Sequence, residues 1–490
     1  MAQIVLGTIN AKWIHPSLAL RLLKANLPPV LGSNRNCTIL EFALRQNLAD
    51  KVSAILAEKP EILALSVSIW NHNATAELLD ALKTNWIKTE KPVIILGGPE
   101  LSPLPPETTI FDHVDFVISG EGEHVFARLC QDIANDLPAA KAHYGKIIDA
   151  DPVNLNTLKS AYDVYSEEDI QRKLIYVESS RGCPYNCAFC QCAVTDKSNG
   201  SIQNVREFPL EPFLHDLEKL LQRCRAQKKT VKFLDRSFNV NIPRALKILE
   251  FCLEKTSAYK NDSSLQFHFE MVPHVFPVEL QNILTLFPRK SLRLEIGIQS
   301  FNSQTNTLIN RVSNPQKELE LLRFLREKTK AIVHADLIAG LPGENLTSFG
   351  LGFDRLWTAL STAHNSALFE IQLGILKCLP GTPIWTMANE GRFKVSYNKA
   401  PPYEVIETDC LPKAEMDKLK NFARFWEIII NRRAFPDLLP HLTPPGEAVF
   451  DRFMELSQEL YQHFGKNYGI AKQELEKELK NLICWADHSA

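Results

Sequence analysis

Along about the first 130 residues, short apolar runs alternate with longer stretches in which apolar positions recur at the spacing of a helix face. The runs at 4–6, 38–42, 62–68, 92–96 and 116–118 predict strands, and the stretches at 16–25, 50–57, 74–84 and 123–134 predict helices. Strands joined through helices of this length imply right-handed crossovers and a parallel sheet covered on both faces. Residues 1–140 therefore read as a doubly wound, Rossmann-like α/β domain. Residues 141–170 show no period and read as a linker. A second series follows, with strands expected at 174–179, 231–234, 266–271, 291–298, 331–338 and 367–376 and helical stretches between them. Six successive βα units predict a partial (β/α)6 TIM-like barrel over residues 171–390, with its functional groups at the strands' C-terminal ends. Beyond residue 390 the strand signal fades, and amphipathic stretches at 414–431 and 447–464 predict a helical C-terminal region, 391–490. No solenoid repeat or low-complexity tract interrupts this plan.

Composition narrows the function. A chain of 490 residues is too long for one core, and 45% hydrophobic with 23% charged residues is a globular balance without an apolar run that could cross a bilayer. The first residues lack a basic segment and run straight into a strand, so no signal peptide is expected and the cytoplasm is the expected location. Lys and Arg are scattered among Asp and Glu at a net charge of −2, which leaves no footprint for nucleic acid and points to a small-molecule substrate. Of eleven cysteines, Cys183, Cys187, Cys190 and Cys192 crowd into one short segment. In a reducing compartment such a cluster suggests metal before disulfide.

The segment from Arg181 to Cys190 reads C-x3-C-x2-C directly after a predicted strand. Three thiolates on one loop can ligate three irons of a cubane cluster and leave the fourth open, whereas structural zinc takes four protein ligands in pairs set farther apart. Cys192 falls outside the spacing and reads as a bystander. The spacing, the preceding strand and Phe189 just before the third cysteine resemble the radical S-adenosylmethionine (SAM) superfamily. That resemblance implies a 4Fe-4S cluster on Cys183, Cys187 and Cys190, SAM chelated at the open iron, and Phe189 beside the adenine. It also implies reductive cleavage of SAM to a 5′-deoxyadenosyl radical, fed by an electron donor such as flavodoxin or ferredoxin.

Later strand ends carry polar groups where a barrel enzyme needs them: Glu270 after Phe269, Gln299 after Ile298, and Asp336 within Ala335-Asp336-Leu337. The intervals from Gln299 to Arg311 and from Arg311 to Asp336 resemble the oxygen-independent coproporphyrinogen oxidase branch of the superfamily. By that resemblance Gln299, Arg311 and Asp336 contact SAM, with Glu270 a fourth candidate. SAM's carboxylate, amine and ribose hydroxyls suit these residue types. Pro380-Gly381-Thr382 resembles the turn that closes the barrel, a structural role. The Gly-Gly-Glu that many members carry after the second strand is absent; Leu234-Asp235-Arg236 stands there, and Asp235 is a possible substitute.

The loops after the first, fourth and fifth strands are small and polar: Asn10 through His15 to Ser17, Gly97-Gly98-Pro99, and Gly120-Glu121-Gly122. Their glycines fit close approach to a ligand and plain turn chemistry equally well. A Rossmann-like domain ahead of such a barrel, with these loops, resembles the cobalamin-binding subgroup, which implies that Asn10, His15, Ser17, Gly97, Gly98, Pro99, Gly120, Glu121 and Gly122 contact a corrinoid. The D-x-H-x-x-G pattern that supplies a cobalt ligand elsewhere is missing, and His15 is the candidate ligand in its place. The resemblance implies cobalamin-dependent methyl transfer to an unactivated carbon. A radical rearrangement, cyclisation or oxidation of a tetrapyrrole, lipid or other metabolite, or a non-catalytic iron–sulfur or corrinoid carrier, are the alternatives. A methylthiotransferase needs three further cysteines near its N-terminus, and only Cys37 and Cys130 precede residue 183.

Overall fold

A computed structural model describes residues 3–86, 91–105, 108–193, 205–225, 228–258, 265–361, 368–444 and 447–489. The N-terminal sheet holds six strands: β1 (Ile4–Asn10), β2 (Cys37–Ala43), β3 (Ile62–Ser66), β4 (Val93–Gly97), β5 (Phe116–Gly120) and β6 (Ile147–Ala150), in the order β2-β1-β3-β4-β5-β6. Every neighbouring pair is parallel. Alternate residues of the same strands feed two separate apolar cores. Val5, Leu63, Ile94 and Val117 pack with Val52 and Ile55 of helix Leu48–Ala57 and with Leu78 and Leu82 of helix His72–Trp86. Ile4, Ile62, Ile95 and Phe116 pack with Leu20 of helix Leu18–Asn26 and with Phe126 and Leu129 of helix Glu123–Asn135. Helices on both faces make the sheet doubly wound, as expected. β1 extends past its apolar run because Gly7, Thr8 and Asn10 are buried with the rest of the strand. The chain passes from β1 to β2 on one side and on to β3 on the other, so the switch point where such sheets bind ligands lies between the ends of β1 and β3.

The stretch 141–170, expected to be a linker, is instead structured. It supplies β6, helix Leu137–His143 ends within it, helix Glu167–Arg172 begins there, and Tyr162, Tyr165 and Ile170 are buried. Its hydrophobic pattern shows no period because β6 is four residues long and the buried apolar residues that follow it are irregularly spaced, with charge adding to their hold. Arg21 Nη2 lies 2.8 Å from both Glu41 and Asp169, while Lys173 Nζ lies 2.6 Å from Glu41 and 3.1 Å from Asp169. Two cations and two carboxylates thus alternate in a buried square that ties this stretch to the edge strand β2 and to helix Leu18–Asn26, and the Arg21 guanidinium stacks over the Tyr165 ring at 4.6 Å.

The second sheet contains β7 (Ile175–Val177), β8 (Lys229–Phe233), β9 (Leu265–Met271), β10 (Leu292–Gln299), β11 (Ile332–Ala339) and β12 (Phe369–Ile375), arranged in chain order from β7 to β12. Residue 367, where the last strand was expected to begin, lies outside the described residues. Sequential order with intervening helices is the layout of an open (β/α) barrel. Burial alternates along β9 and β10: Phe267, Phe269, Leu292, Leu294 and Ile296 are fully buried. The residues between them, and their counterparts on the next two strands, form a polar face of His268, Glu270, Arg293, Glu295, His334, Asp336, Glu370 and Gln372. The C-terminal region is helical, as expected, with a short hairpin of Val395–Tyr397 and Val405–Thr408 added. It docks through aromatic contacts: Phe353 of helix Leu346–Ser361 meets Phe422 at 5.0 Å and Trp426 at 4.8 Å, both edge-on.

The buried charge square yields a stability prediction. Arg21→Met strands two carboxylates with one cation and should lower the unfolding free energy by roughly 3–5 kcal/mol in a urea titration. Burial opposes ionisation of Asp169, but Arg21 and Lys173 outweigh it and hold the carboxyl at about 2 rather than its ordinary 3.8. A depressed folded value means that this contribution is complete above about pH 4 and is lost as pH falls toward 2. Arg21→Met should therefore flatten the acid limb of the stability curve; an unchanged urea midpoint and acid slope would assign the square no stabilising role.

Candidate active site

The cysteine segment leaves its strand through Gly182, whose φ of +92° suits glycine. It is then clamped by main-chain hydrogen bonds. Ala188 N donates to Ile309 O at 2.8 Å, and Ala188 O accepts from Ile384 N at 2.9 Å. Thr382 caps helix Pro383–Asn389, which carries Ile384, so the Pro380-Gly381-Thr382 turn anchors the cysteine loop as well as ending the barrel. Within the loop, Cys190 N donates to Cys187 O at 2.9 Å.

Cys183, Cys187 and Cys190 line one cavity of about 220 Å³. Phe189, Glu270, Gln299, Arg311 and Asp336, the SAM contacts expected from sequence, line the same cavity. Gln299 sits at a register shift at the end of β10 with a φ of +70°, a left-handed conformation that costs a non-glycine residue energy and that clusters at functional sites. Arg311 donates to Gly297 O and lies 3.9 Å from Cys187 Sγ. A Cβ at Gly297 would meet Gln299 Nε2 at 2.6 Å, so glycine is what lets these side chains pack together. Arg311 Nε is buried without a hydrogen-bond partner, the kind of orphaned donor that a ligand satisfies.

Burial pushes the Cys183 and Cys187 thiols up, with Arg311 opposing it at Cys187. Cys190 moves the other way, downward, because Cys192 hydrogen-bonds to it. Cys192, expected to be a bystander, thus lines the cavity and biases a neighbour toward the thiolate, the form that binds iron.

Several cavity residues escaped sequence reasoning. Arg236 lies 3.8 Å from Glu270. Asp235, the suggested substitute for the missing Gly-Gly-Glu, is 1% exposed and does not line the cavity; its neighbour Arg236 does. Glu295 lies 3.0 Å from His268, and Asp336 3.0 Å from His334. Tyr185 Oη and His274 Nε2 are 2.8 Å apart at the cavity wall, with His274 Nδ1 buried and unpartnered. Polar residues two apart on successive strands were the available signal.

The residues expected to contact a corrinoid fall at the C-terminal ends of β1, β4 and β5, and several are already employed. Asn10 donates to His15 O at 2.7 Å. His15 Nδ1 meets Tyr176 Oη at 2.6 Å, and burial followed by Lys12 and Lys232 keeps its ring toward the neutral form. Ser17 caps helix Leu18–Asn26. Gly98 and Gly120 are turn glycines with φ of +118° and +100°, where a Cβ would strike Val67 O at 2.3 Å and Ala150 O at 2.4 Å. Gly97 ends β4 ahead of Pro99, and Gly122 precedes helix Glu123–Asn135. Glu121 is ion-paired with Arg206 and Arg181 and accepts from Val153 N. The loop after β3 was overlooked because it has no glycine, yet it stands at the switch point. There Asn71, fully buried, donates to Ile9 O at 2.9 Å, and Trp70 donates to the same oxygen at 3.3 Å while half of its side chain stays exposed.

Comparison with known proteins agrees with this layout. The chain matches the radical SAM superfamily over residues 177–350, the B12 binding domain over residues 4–130 and, over residues 391–484, a protein family of unknown function, DUF4080. It is 23% identical over 365 residues to the cobalamin-dependent radical SAM methyltransferase TokK of Streptomyces tokunonensis, covering 67% of this chain and 48% of that protein. Identity is also 23%, over 354 residues and the same shares, to the 2-(S-pantetheinyl)-carbapenam-3-carboxylate methyltransferase of Streptantibioticus cattleyicolor. The chain thus spans about half the length of these two relatives. Among solved structures, TsrM of Kitasatospora setae with tryptophan and a SAM analogue bound aligns over the whole of both chains with a TM-score of 0.60 at 14% identity. The cobalamin-dependent SAM radical enzyme OxsB with aqua-cobalamin bound aligns with a TM-score of 0.61 at 14% identity, over 100% of this chain and 81% of that one, a likeness of fold. Residues 4–130 thus match the B12 binding domain and residues 177–350 the radical SAM superfamily, in the same order as the two parallel sheets.

Proposed function

We propose that this chain is a cobalamin-dependent radical SAM methyltransferase that places a methyl group on an unactivated carbon of a small molecule. The observation that carries the reading is the convergence of three thiols, Gln299, Arg311 and Asp336 on one cavity in a chain that also holds a B12-binding domain. The donor set fits a cluster and SAM: thiols on one clamped loop, one of them biased toward the thiolate, beside a buried guanidinium nitrogen without a partner. A cluster on Cys183, Cys187 and Cys190 supplies the electron that cleaves SAM, and a corrinoid supplies a methyl carrier. Around them, Phe189 would lie beside the adenine, Arg311 would pair with the SAM carboxylate, Glu270 or Asp336 would suit the amine, and Gln299 would suit the ribose hydroxyls. A low-potential one-electron donor such as flavodoxin or ferredoxin feeds the site. In the first domain the turn glycines and the Trp70 indole are the surfaces available to a corrinoid at the switch point.

Similar methyltransferases are named for chemically unlike substrates, a carbapenam carboxylate and a bacteriochlorophyllide. The substrate of this chain therefore has to be found by product analysis. After anaerobic reconstitution the protein should bind iron and show a corrinoid absorption spectrum, and SAM labelled in its methyl group should pass that label to a product found only when the enzyme is present. A labelled product is the expected result; 5′-deoxyadenosine without label transfer would move the reading to another radical reaction. Arg311→Met should raise the KM for SAM about 10- to 100-fold, the worth of one charged hydrogen bond. Cys187→Ala should lose the iron chromophore while the isolated protein still takes up corrinoid.

A further inference from the structure

We propose that His334 is the positioning residue of the SAM cavity, an imidazolium that locks the Asp336 carboxylate in the orientation ligand binding needs. The proposal rests on the reading of Asp336 as a SAM contact and adds to it a residue that touches no ligand. His334 and Asp336 are two apart on β11, so both belong to the polar face. Asp336 lines the cavity; His334, 9% exposed, does not and sits behind it.

Both ring nitrogens of His334 are engaged. Nε2 lies 3.0 Å from Asp336 Oδ1 and 3.1 Å from Gln372 Oε1, while Nδ1 lies 3.0 Å from Glu370 Oε2. Strand register sets this up, since His334 faces Glu370 and Asp336 faces Gln372 across the β11–β12 ladder. Glu370 is itself gripped by Arg293 in a bidentate pair at 3.1 and 2.6 Å. Nε2 thus donates to Gln372 Oε1 with the Asp336 carboxylate beside it as an ion-pair partner, and Nδ1 faces Glu370 Oε2 with Arg293 Nη2 also 3.0 Å away; oxygen acceptors at both nitrogens favour a proton on each, the charged form. Burial works against that charge, but the bonds to Asp336 and Glu370 outweigh it and raise His334 to about 10, despite Arg293 nearby. Glu370, in turn, stays ionised at about 2 against its burial because His334 and Arg293 hold it.

The need for such a device follows from crowding. One ligand atom each of Glu295, His334 and Asp336 lies within 4.8 Å of the others. Without a cation between them, two carboxylates at that distance repel, and one turns away or takes up a proton. His334 beside Asp336, and His268 beside Glu295, offset that crowding and keep Asp336 turned toward the cavity. Arg293 and Glu370 act one step farther back, holding the ring charged and in place.

The test uses the reconstituted holoenzyme and measures SAM affinity by equilibrium dialysis alongside steady-state 5′-deoxyadenosine formation. His334→Ala and Asp336→Asn should each raise the SAM Kd and KM about tenfold while changing kcat less than about threefold, in the range typical of residues that orient a ligand-binding group. The double variant should be no worse than Asp336→Asn alone, because both remove the same interaction. Glu370→Gln should shift SAM affinity in the same direction by a smaller factor. Iron content and thermal unfolding identify a variant that fails to fold, in which case His334→Gln, which keeps a donor but not the charge, carries the comparison and should fall between wild type and Asp336→Asn. Additive effects in the double variant, or a kcat loss without a KM change, overturn the positioning role while leaving Asp336 as a SAM contact. Unchanged SAM affinity in Asp336→Asn overturns both.

Discussion

Two hydrogen bonds through Ala188 fix where the chemistry of this molecule stands. Its amide reaches Ile309 and its carbonyl receives Ile384, so the middle of the cysteine loop is sewn to two separate parts of the barrel. Each such bond contributes only about 1 kcal/mol net, but leaving either group buried and unmade would cost more. Ala188 is 3% exposed, so there is no solvent to stand in. With Ala188 pinned, Cys187 and Phe189 on either side have little freedom. The same short segment that receives the amide continues to Arg311, whose own amide is held by Asn306 O at 2.8 Å, so one clamp sets both the thiols and the guanidinium facing them.

The barrel interior follows from a second constraint, the cost of burying charge. Its polar face offers carboxylates at Glu270, Glu295 and Asp336, and a basic side chain stands beside each one: Arg236, His268 and His334. A buried carboxylate without such a partner would take a proton or destabilise the fold by several kcal/mol. Pairing each one lets the cavity keep both signs of charge in place, which suits a ligand that itself carries both. The alternation that produces this arrangement is ordinary strand geometry, with apolar residues turned to the helices and polar ones to the barrel axis.

Much of this was legible in the sequence because it rests on periodicity and spacing. Both sheets, the two-faced cover of the first and the sequential order of the second were foreshadowed by apolar runs alternating with helical stretches. The cysteine spacing, with Gln299, Arg311 and Asp336, named residues that the fold brings to one cavity. What stayed hidden depends on contacts between distant residues. The charge square of Arg21, Glu41, Asp169 and Lys173 leaves no periodic trace, so the stretch it holds read as a linker. Trp70 and Asn71 went unnoticed because strand order, which puts their loop at the switch point, is not written in the pattern of any one strand. Cys192 and His334 act on neighbours, and no spacing rule reports that.

The loop after β5 shows how acidic residues of a motif can be taken up by structure. Gly120-Glu121-Gly122 reads as a cofactor loop with one acidic contact, Glu121, and Glu123 follows it. Yet Arg181 draws in both Glu121 and Glu123 together with Glu178, and Arg206 takes the other side of Glu121. Those carboxylates are committed to holding the turn, and breaking any of the buried pairs would leave an isolated charge. Gly120 meanwhile is required by a φ of +100° and by Ala150 O behind it. What such a loop has left to present at the end of β5 is main chain, brought close by the absence of side chains. Glu121, singled out in the sequence, and Glu123 serve to keep that backbone still.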